Sequence, residues 1–307
     1  MKVLCILYDD PKGGMPSEYP LNSIPKLEKY PDGMTLPNPE SIDFTPGELL
    51  GCVSGELGLR KFLEDNGHTL VVTSDKDGDN CTADKELLDA DIVISQPFWP
   101  YYLTRERIEK AKNLKMAITA GIGSDHVDLQ AAMDNNVDVV EVTYCNSISV
   151  SEHQVMMILA LVRDYHNQYA IVRSGGWNIA DAVSRSYDVE GMHIGTVAAG
   201  RIGLSVLRKM KPFDVNLHYF DRHRLPKSVE SELNLTFHES VESMVAVCDV
   251  VTVNCPLHPE TEDLFNENLI SKMKKGAYLV NTARGKICNR DAVAQALESG
   301  QLSGYAG

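Results

Sequence analysis

Four groups of residues in this chain carry recognisable chemistry, and the first is Ala198-Ala199-Gly200-Arg201-Ile202-Gly203. It has the form A-x-G-x-x-G and lies between an apolar, β-prone run and a run that reads as helix. A strand turning tightly into a helix gathers free backbone N–H groups and the positive end of the helix dipole at one point, which suits a dinucleotide pyrophosphate. Gly200 lets the backbone approach phosphate and Gly203 lets helix and strand pack closely, while Ala198 stands where a first glycine usually sits. Such a turn is sometimes only structural. Asp221, eighteen residues past Gly203 and at the end of the apolar run Val215–Phe220, argues for the nucleotide. Its carboxylate accepts hydrogen bonds from an adenosine ribose and repels a 2′-phosphate, which favours NAD over NADP. Arg222 and Arg224 beside it leave a route to NADP.

The second group is Asn281-Thr282-Ala283-Arg284-Gly285, after a strand that should end at the carboxyl edge of its sheet. Ligands bind at that edge in open α/β folds. An arginine there grips a carboxylate through two parallel charge-assisted bonds, or else pairs with a surface carboxylate. The third is Thr143-Tyr144-Cys145-Asn146-Ser147, where the Asn146 amide either donates to a substrate oxygen or caps the following turn. The fourth is a set of strand-end loops. Ala120–His126 is glycine-rich and offers backbone N–H groups to an anion. Gln96-Pro97-Phe98-Trp99-Pro100 is apolar and rigid, a wall against water or a core cap. The loop Pro256-Leu257-His258-Pro259-Glu260-Thr261 begins where Val250–Asn254 ends and therefore flanks the cofactor. His258 reads there as a cofactor or backbone contact more readily than as a catalytic base.

The elements that must position these groups alternate between strand and helix. Strands are predicted at Lys2–Tyr8, Thr69–Thr73, Asp91–Ser95, Lys115–Ala120 and Val137–Val142. Helical stretches fall at Glu48–Asn66, near Arg105–Lys112 and near Leu129–Asn135. A second alternating run has strands at His193–Val197, Val215–Phe220, Val250–Asn254, Ala277–Asn281 and from near Leu302. Alternation of this kind implies α/β architecture: two doubly wound parallel sheets of Rossmann-like and flavodoxin-like type, helices on both faces, and a cleft between them as the site. The predicted domains are 1–146 and 147–307. Ser149–Ser174 is the longest helical pattern, and its apolar middle, Val155–Val162, predicts burial on several sides, between domains or against a partner subunit. The Pro-, Gly- and Asp-rich stretch 9–46 reads as an ordered loop covering part of a site.

Composition narrows the class. At 307 residues, with 43% hydrophobic and 23% charged, the chain suits a two-domain globular enzyme. A formal net charge of −14 argues against nucleic-acid or acidic-membrane partners, so an anionic substrate must be attracted by local basic residues. No run is long and apolar enough to span a membrane, and the first residues enter a strand with no signal character. The seven cysteines are scattered, with no C-x-x-C pair, and no histidine pair has zinc spacing. They predict reduced thiols, a cytoplasmic location and no metal. Cys255, at a strand end able to face cofactor, reads as a buried bystander rather than a reactive thiol.

Taken together, GIGSDHVDL, the A-x-G-R-I-G turn with Asp221, PLHPET and NTARG resemble the D-2-hydroxyacid dehydrogenase superfamily. TLPNPESIDFTPGELLG, ISQPFWPYYL, EVTYCNSISVSEH, RSGGWNIADAVSRSYDVEG and YFDRHRLP narrow the resemblance to the NAD-dependent formate dehydrogenases, over essentially the whole chain. The resemblance implies that Arg284 and Asn146 bind formate, with the Ile122 backbone as a third contact and Pro97 and Phe98 as the pocket wall. It implies that Ser147, Ala198, Gly200, Arg201, Ile202, Gly203, Asp221, Pro256, Leu257, His258, Pro259, Glu260 and Thr282 form the NAD site. It further implies a homodimer through the cofactor domain, 147–307, with 1–146 as the substrate domain.

Formate already carries its charge, so its oxidation needs hydride removal and no base to take a hydroxyl proton. Members of the family continue past Gly307 with an aspartate, a glutamine–histidine pair and a helix returning to the first domain. Without those segments the resemblance implies weak or absent turnover for the sequence as it stands. Another D-2-hydroxyacid dehydrogenase, or a non-catalytic NAD-binding module, is the alternative reading.

Overall fold

The structure is a computed structural model that describes residues 1–7, 59–78, 80–97, 99–142 and 145–307. The predicted loop at 9–46, the start of the first predicted helix at 48–58, Phe98, Thr143 and Tyr144 lie outside the described residues. By its contacts the chain divides into Met1–Cys145 and Asn146–Gly307.

The first unit runs β1 (Lys2–Ile6), α1 (Leu59–Asp65), β2 (Thr69–Thr73), α2 (Thr82–Leu87), β3 (Ile92–Ser95), α3 (Arg105–Lys110), β4 (Met116–Thr119), α4 (Leu129–Asp134) and β5 (Asp138–Glu141). Its strands form one parallel sheet in the order β2-β1-β3-β4-β5, the flavodoxin-like arrangement. Alternate residues of β1 show why a continuous apolar run folds this way. Val3 and Cys5, with Leu7 just past the strand, pack with Leu63 and Leu70 on one face. Leu4 and Ile6 pack with Leu87, Val93, Ile108 and Ala117 on the other. A strand buried on both faces has no polar side to present. The helix starts are capped as their residues dictate: the Asp128 carboxylate accepts from Ala131 N–H at 2.8 Å at the head of α4, and Thr104 accepts from Arg107 N–H at 3.4 Å at the head of α3.

α2 is an element that periodicity did not reveal. Its six residues are too few for a helical period, and it is held by tertiary bonds. Asp75 accepts from both the backbone and the hydroxyl of Thr82, at 2.8 and 2.7 Å. Asp84 receives the buried Tyr101 hydroxyl at 2.6 Å and the Arg107 Nε at 2.8 Å. These bonds hold the Asp84 carboxyl below its ordinary range against the opposing effect of burial.

The second unit begins with α5 (Ser147–Val162), α6 (Tyr165–Arg173) and α7 (Ile179–Arg185). The single long helix predicted over 149–174 is two helices. The chain breaks at Asp164, which sits in the left-handed region at φ 51° and whose carboxylate accepts from Arg185 Nε at 2.8 Å. Burial is also less complete than the apolar run 155–162 suggests: Ile158 and Val162 are buried, whereas Met156 is 52% exposed on this chain. The unit continues β6 (His193–Val197), α8 (Arg201–Met210), β7 (Asn216–Phe220), α9 (Lys227–Leu233), β8 (Thr236–Phe237), α10 (Val241–Val245), β9 (Val250–Val253), α11 (Glu267–Ser271), β10 (Ala277–Asn281), α12 (Arg290–Glu298) and β11 (Leu302–Ala306).

Its six parallel strands are ordered β11-β10-β9-β6-β7-β8. Reading outward from β6, the chain winds one way through β7 and β8 and the other way from β9, which is the Rossmann order. Two cores cover its faces, one around Met244, Phe265 and Leu279, the other joining Ile158 of α5 to Val206, Leu207 and Met210 of α8. The strand order reverses between β6 and β9, so their carboxyl ends are the place where this fold takes a ligand.

Three histidines line one face of the sheet. His193 Nδ1 lies 2.8 Å from His218 Nε2, and His218 Nδ1 lies 3.0 Å from His238 Nε2. Burial, reinforced by the neighbouring imidazoles, pushes His218 down to about 4. An unfolded chain protonates this side chain near 6.5, the ordinary value for a histidine. Unfolding therefore takes up a proton between those values, and the contribution is fully present above the higher one and lost as pH falls towards the lower. Urea unfolding is expected to show stability falling by roughly 2 kcal/mol from this residue between about pH 7 and about pH 5. His218→Gln should flatten that slope, and an unchanged slope would remove His218 as its cause.

Candidate cofactor and substrate site

The glycine turn joins β6 to α8 at the point of strand reversal. Ala198 adopts φ 71°, the left-handed conformation for which a first glycine is usual. Gly200 is the N-cap of α8, and a methyl group added there would meet nothing within 4 Å, so the turn presents open backbone at the helix N-terminus. Gly203 is the reverse case. A methyl there would lie 2.2 Å from the Ala198 carbonyl oxygen and 2.9 Å from Thr196 Oγ1, so α8 packs against the turn only because the position is glycine. Arg201, exposed, and Ile202, half-buried, open the helix. An open backbone cradle at the head of a ten-residue helix fits a pyrophosphate.

Asp221 follows β7 and is half-buried. Its Oδ2 accepts from Ala199 N–H at 2.8 Å and its Oδ1 from His223 N–H at 3.0 Å. It therefore braces the glycine turn as well as ending the strand where a ribose would lie, and each oxygen keeps a lone pair for a ligand hydroxyl. Of the two nearby arginines, Arg224 is committed elsewhere: it binds Glu230 through two bonds, at 2.9 and 3.0 Å, and stacks over Phe237. Glu230 also receives the Tyr219 hydroxyl at 2.6 Å. Arg222 reaches Glu260 at 4.0 Å with both side chains largely exposed, which brings the turn after β7 beside the loop after β9.

That loop is organised by Thr261, which sequence reading left without a role. Its hydroxyl donates to the Pro256 carbonyl at 2.7 Å and accepts from His258 N–H at 2.8 Å. Pro256, His258, Pro259 and Glu260 are exposed and Leu257 half-buried. Just before it, Cys255 is buried with its thiol pushed up to about 11 by desolvation, which leaves it protonated and unreactive near neutrality.

The turn after β10 is held by another side chain to which sequence assigned no task. The buried Asn281 accepts from Ala283 N–H at 3.0 Å and donates to the Arg284 carbonyl at 2.9 Å, closing the turn on itself. Arg284 is half-buried, and its Nη1 donates to the Ala283 carbonyl at 2.9 Å. Thr282 is half-buried, and its hydroxyl accepts from Gln154 of α5. Asn146 is the N-cap of α5 but makes no side-chain capping bond. Its Oδ1 and the Ser147 hydroxyl are buried with no hydrogen-bond partner in this ligand-free chain. Buried polar atoms of that kind mark a place where a ligand or water belongs.

Ile122 and Pro97 belong to the first unit. Ile122 is half-buried in the loop after β4, where Gly121 and Gly123 take positive φ values of 156° and 107°. Behind that loop, Ser95 Oγ meets His126 Nε2 at 2.7 Å. Pro97 is buried beyond the end of β3, and its predicted companion Phe98 is outside the described residues. No group of three or more histidine, cysteine or acidic residues suited to a metal occurs among the described residues.

Known proteins agree with this geometry. The D-isomer specific 2-hydroxyacid dehydrogenase, NAD binding domain, matches residues 155–307. A formate dehydrogenase of Pseudomonas sp. (strain 101) is 70% identical over 306 residues, spanning 100% of this chain and 76% of that protein. The solved formate dehydrogenase of Granulicella M. superposes with a TM-score of 0.90 at 66% identity, over 100% of this chain and 82% of that one. A Staphylococcus aureus NAD-dependent formate dehydrogenase solved in complex with NAD gives 0.77 at 39% identity, over 100% and 81%. A nucleotide cradle at the strand reversal, an arginine held on the adjoining strand end and this degree of likeness lead to one assignment: the chain belongs to the formate dehydrogenases of the D-isomer specific 2-hydroxyacid dehydrogenase family.

Proposed function

We propose that this chain oxidises formate to carbon dioxide while reducing NAD to NADH. The observation that carries the reading is the Arg284 turn, fixed by Asn281 at the carboxyl end of β10, in a chain 70% identical to a formate dehydrogenase. NAD supplies the hydride acceptor. The protein's own work is positioning and electrostatics. Arg284 neutralises the carboxylate and orients its C–H bond through paired charge-assisted bonds. Asn146 is assigned to donate its amide N–H to a formate oxygen. The backbone of Ile122 and the ring of Pro97 are assigned to the substrate as well. Formate is already an anion, so no residue need remove a hydroxyl proton, and His258 is assigned to the cofactor and not to base catalysis. The test is NADH formation, followed by absorbance, with formate, glyoxylate and hydroxypyruvate offered in parallel. Turnover with either of the latter in preference to formate would favour another 2-hydroxyacid dehydrogenase. NAD binding with no turnover on any of them would favour a non-catalytic binding module.

The cofactor site is assigned to Gly200, Arg201, Ile202, Gly203, Asp221, the loop Pro256–Glu260, Thr282 and Ser147. NAD is preferred to NADP because the Asp221 carboxylate repels a 2′-phosphate and Arg224 is already held by Glu230. Asp221→Ala is expected to weaken NAD about 10- to 100-fold in calorimetric titration, since it removes a ribose acceptor and the brace on Ala199 together. Unchanged affinity would take Asp221 out of the site.

The second unit is the NAD-binding domain and the first the substrate domain. The unit also shows an apolar surface suited to a second copy of the chain: Trp177 is 82% exposed, Val183 69% and Ile179 67%. We assign this face to a homodimer, which sedimentation of the wild type and of Trp177→Glu would test. No helix among the described residues is long and apolar enough to cross a membrane. The free thiols fit a cytoplasmic setting.

A further inference from the structure

α5 carries one wholly buried amide, Gln154, in the middle of an inner face that runs from Ser147 and Ser151 to Ile158 and Val162. Its Nε2 donates to Asn254 Oδ1 and to Thr282 Oγ1, both at 2.7 Å. Asn254, just past β9, turns its own amide nitrogen to Thr196 Oγ1 at 2.9 Å, Thr252 Oγ1 at 3.2 Å and Gln154 Oε1 at 3.3 Å. One side chain on α5 thus joins the carboxyl ends of β6, β9 and β10.

The two threonines set the direction of the main bonds in this cluster, and the longer 3.3 Å approach of Asn254 Nδ2 to Gln154 Oε1 is left without a hydrogen of its own. Thr196 donates its hydroxyl to the carbonyl of Ala198, at 3.0 Å, and Thr252 donates to the carbonyl of Gly195, at 3.4 Å. A carbonyl only accepts, so both threonine oxygens must accept from Asn254. The Asn254 amide is thereby oriented with its oxygen towards Gln154, and Gln154 must face it with nitrogen. Both N–H groups of Gln154 are then engaged, one by Asn254 and one by Thr282. Thr282 can only accept from it, and its own O–H must point away from the cluster.

We infer that Gln154 is a positioning residue that fixes Thr282 as a hydrogen-bond donor to the bound dinucleotide. The polarity is set at the glycine turn and transmitted through Thr196, Asn254 and Gln154 to the neighbouring strand end. Without Gln154, Thr282 turns its proton inward to the Asn254 carbonyl or rotates freely, and the cofactor loses a preorganised donor. The inference rests on the assignment of NAD to this site.

The test uses the full chain and NAD titration by calorimetry. Gln154→Met keeps the length of the side chain and removes the amide. It is expected to raise the dissociation constant about tenfold, and Thr282→Val to do the same. The double variant should bind no more weakly than Thr282→Val alone, because Gln154 acts through Thr282. Gln154→Glu adds a pH readout that mere packing would not produce. An ionised glutamate only accepts, so Thr282 must donate to it and NAD binds weakly. As pH falls and the carboxyl protonates, it donates again and affinity recovers, while the wild type stays level over the same range. Wild-type affinity in Gln154→Met, or fully additive losses in the double variant, would overturn the inference even if Gln154→Glu fails to fold. A wild type that binds no NAD would overturn the cofactor assignment itself, and with it the role given to Gln154.

Discussion

Replacing Arg284 by alanine is expected to lower kcat/KM for formate by roughly 10²- to 10³-fold or more, while NAD titration and the circular dichroism spectrum stay close to those of the wild type. Truncating one partner of a desolvated, hydrogen-bonded charge pair costs about 2–5 kcal/mol, and each 1.4 kcal/mol is about tenfold. The separation of effects follows from how the turn is built. Asn281 makes its two bonds to the backbone, at Ala283 N–H and the Arg284 carbonyl, so the turn does not need the guanidinium. The bond from Nη1 to the Ala283 carbonyl goes with the side chain, while both Asn281 bonds to the backbone stay. Arg284→Lys keeps the charge and loses the planar fork, and should recover only part of the rate, because a point charge does not orient a carboxylate. Wild-type turnover in Arg284→Ala would remove this residue from the substrate site.

Gly203→Ala is the change of largest expected effect on folding. The added methyl meets a backbone oxygen, Ala198 O, at 2.2 Å, and Thr196 Oγ1 at 2.9 Å, so no flexible side chain can swing away to make room. Relief requires α8 to lift from β6, and α8 carries Val206, Leu207 and Met210 into the core. The same movement pulls Ala199 from Asp221 and opens the pyrophosphate cradle. A loss of about 3 kcal/mol or more is expected in urea unfolding, together with loss of NAD binding. Gly200→Ala is the control: its methyl points into open space, so the fold should be retained while NAD binding weakens, because that space is where the phosphate would lie. Equal stability of the two variants would contradict this account of the turn.

The strands were legible because each is buried on both faces of a parallel sheet and therefore reads as a short apolar run between turn residues. His193–Val197, Thr69–Thr73 and Ala277–Asn281 have the bounds that the residues alone suggest. The elements that were missed owe their existence to contacts distant in sequence. α2 depends on Asp75, Tyr101 and Arg107, and the two-residue strand β8 depends on pairing with β7. The break at Asp164 was hidden because an aspartate inside a helical period gives no warning of a left-handed residue. At the site, the glycines and Asp221 were readable because their spacing is set by local geometry. Gln154, Asn254, Thr261 and Asn281 were not, since an amide or hydroxyl acquires meaning only once a fold brings its partners to it.

The strand order of the second unit also sets a timetable for its assembly. β6 pairs on one side with β7, which follows it closely, but on the other with β9, Ile194 lying against Val250. A ribosome adding about 5–20 residues per second needs roughly 3–11 s to travel from the one to the other. Throughout that interval the strand bearing the glycine turn has an open edge, and Asn254, which orients Thr196 beneath the turn, has not been made. The Asn254 bond to Thr196 beneath the turn can form only after β9 docks, so the turn is completed late in the assembly of this unit. Substitutions that slow the docking of β9 will therefore lower the yield of native chain more than they lower its final stability.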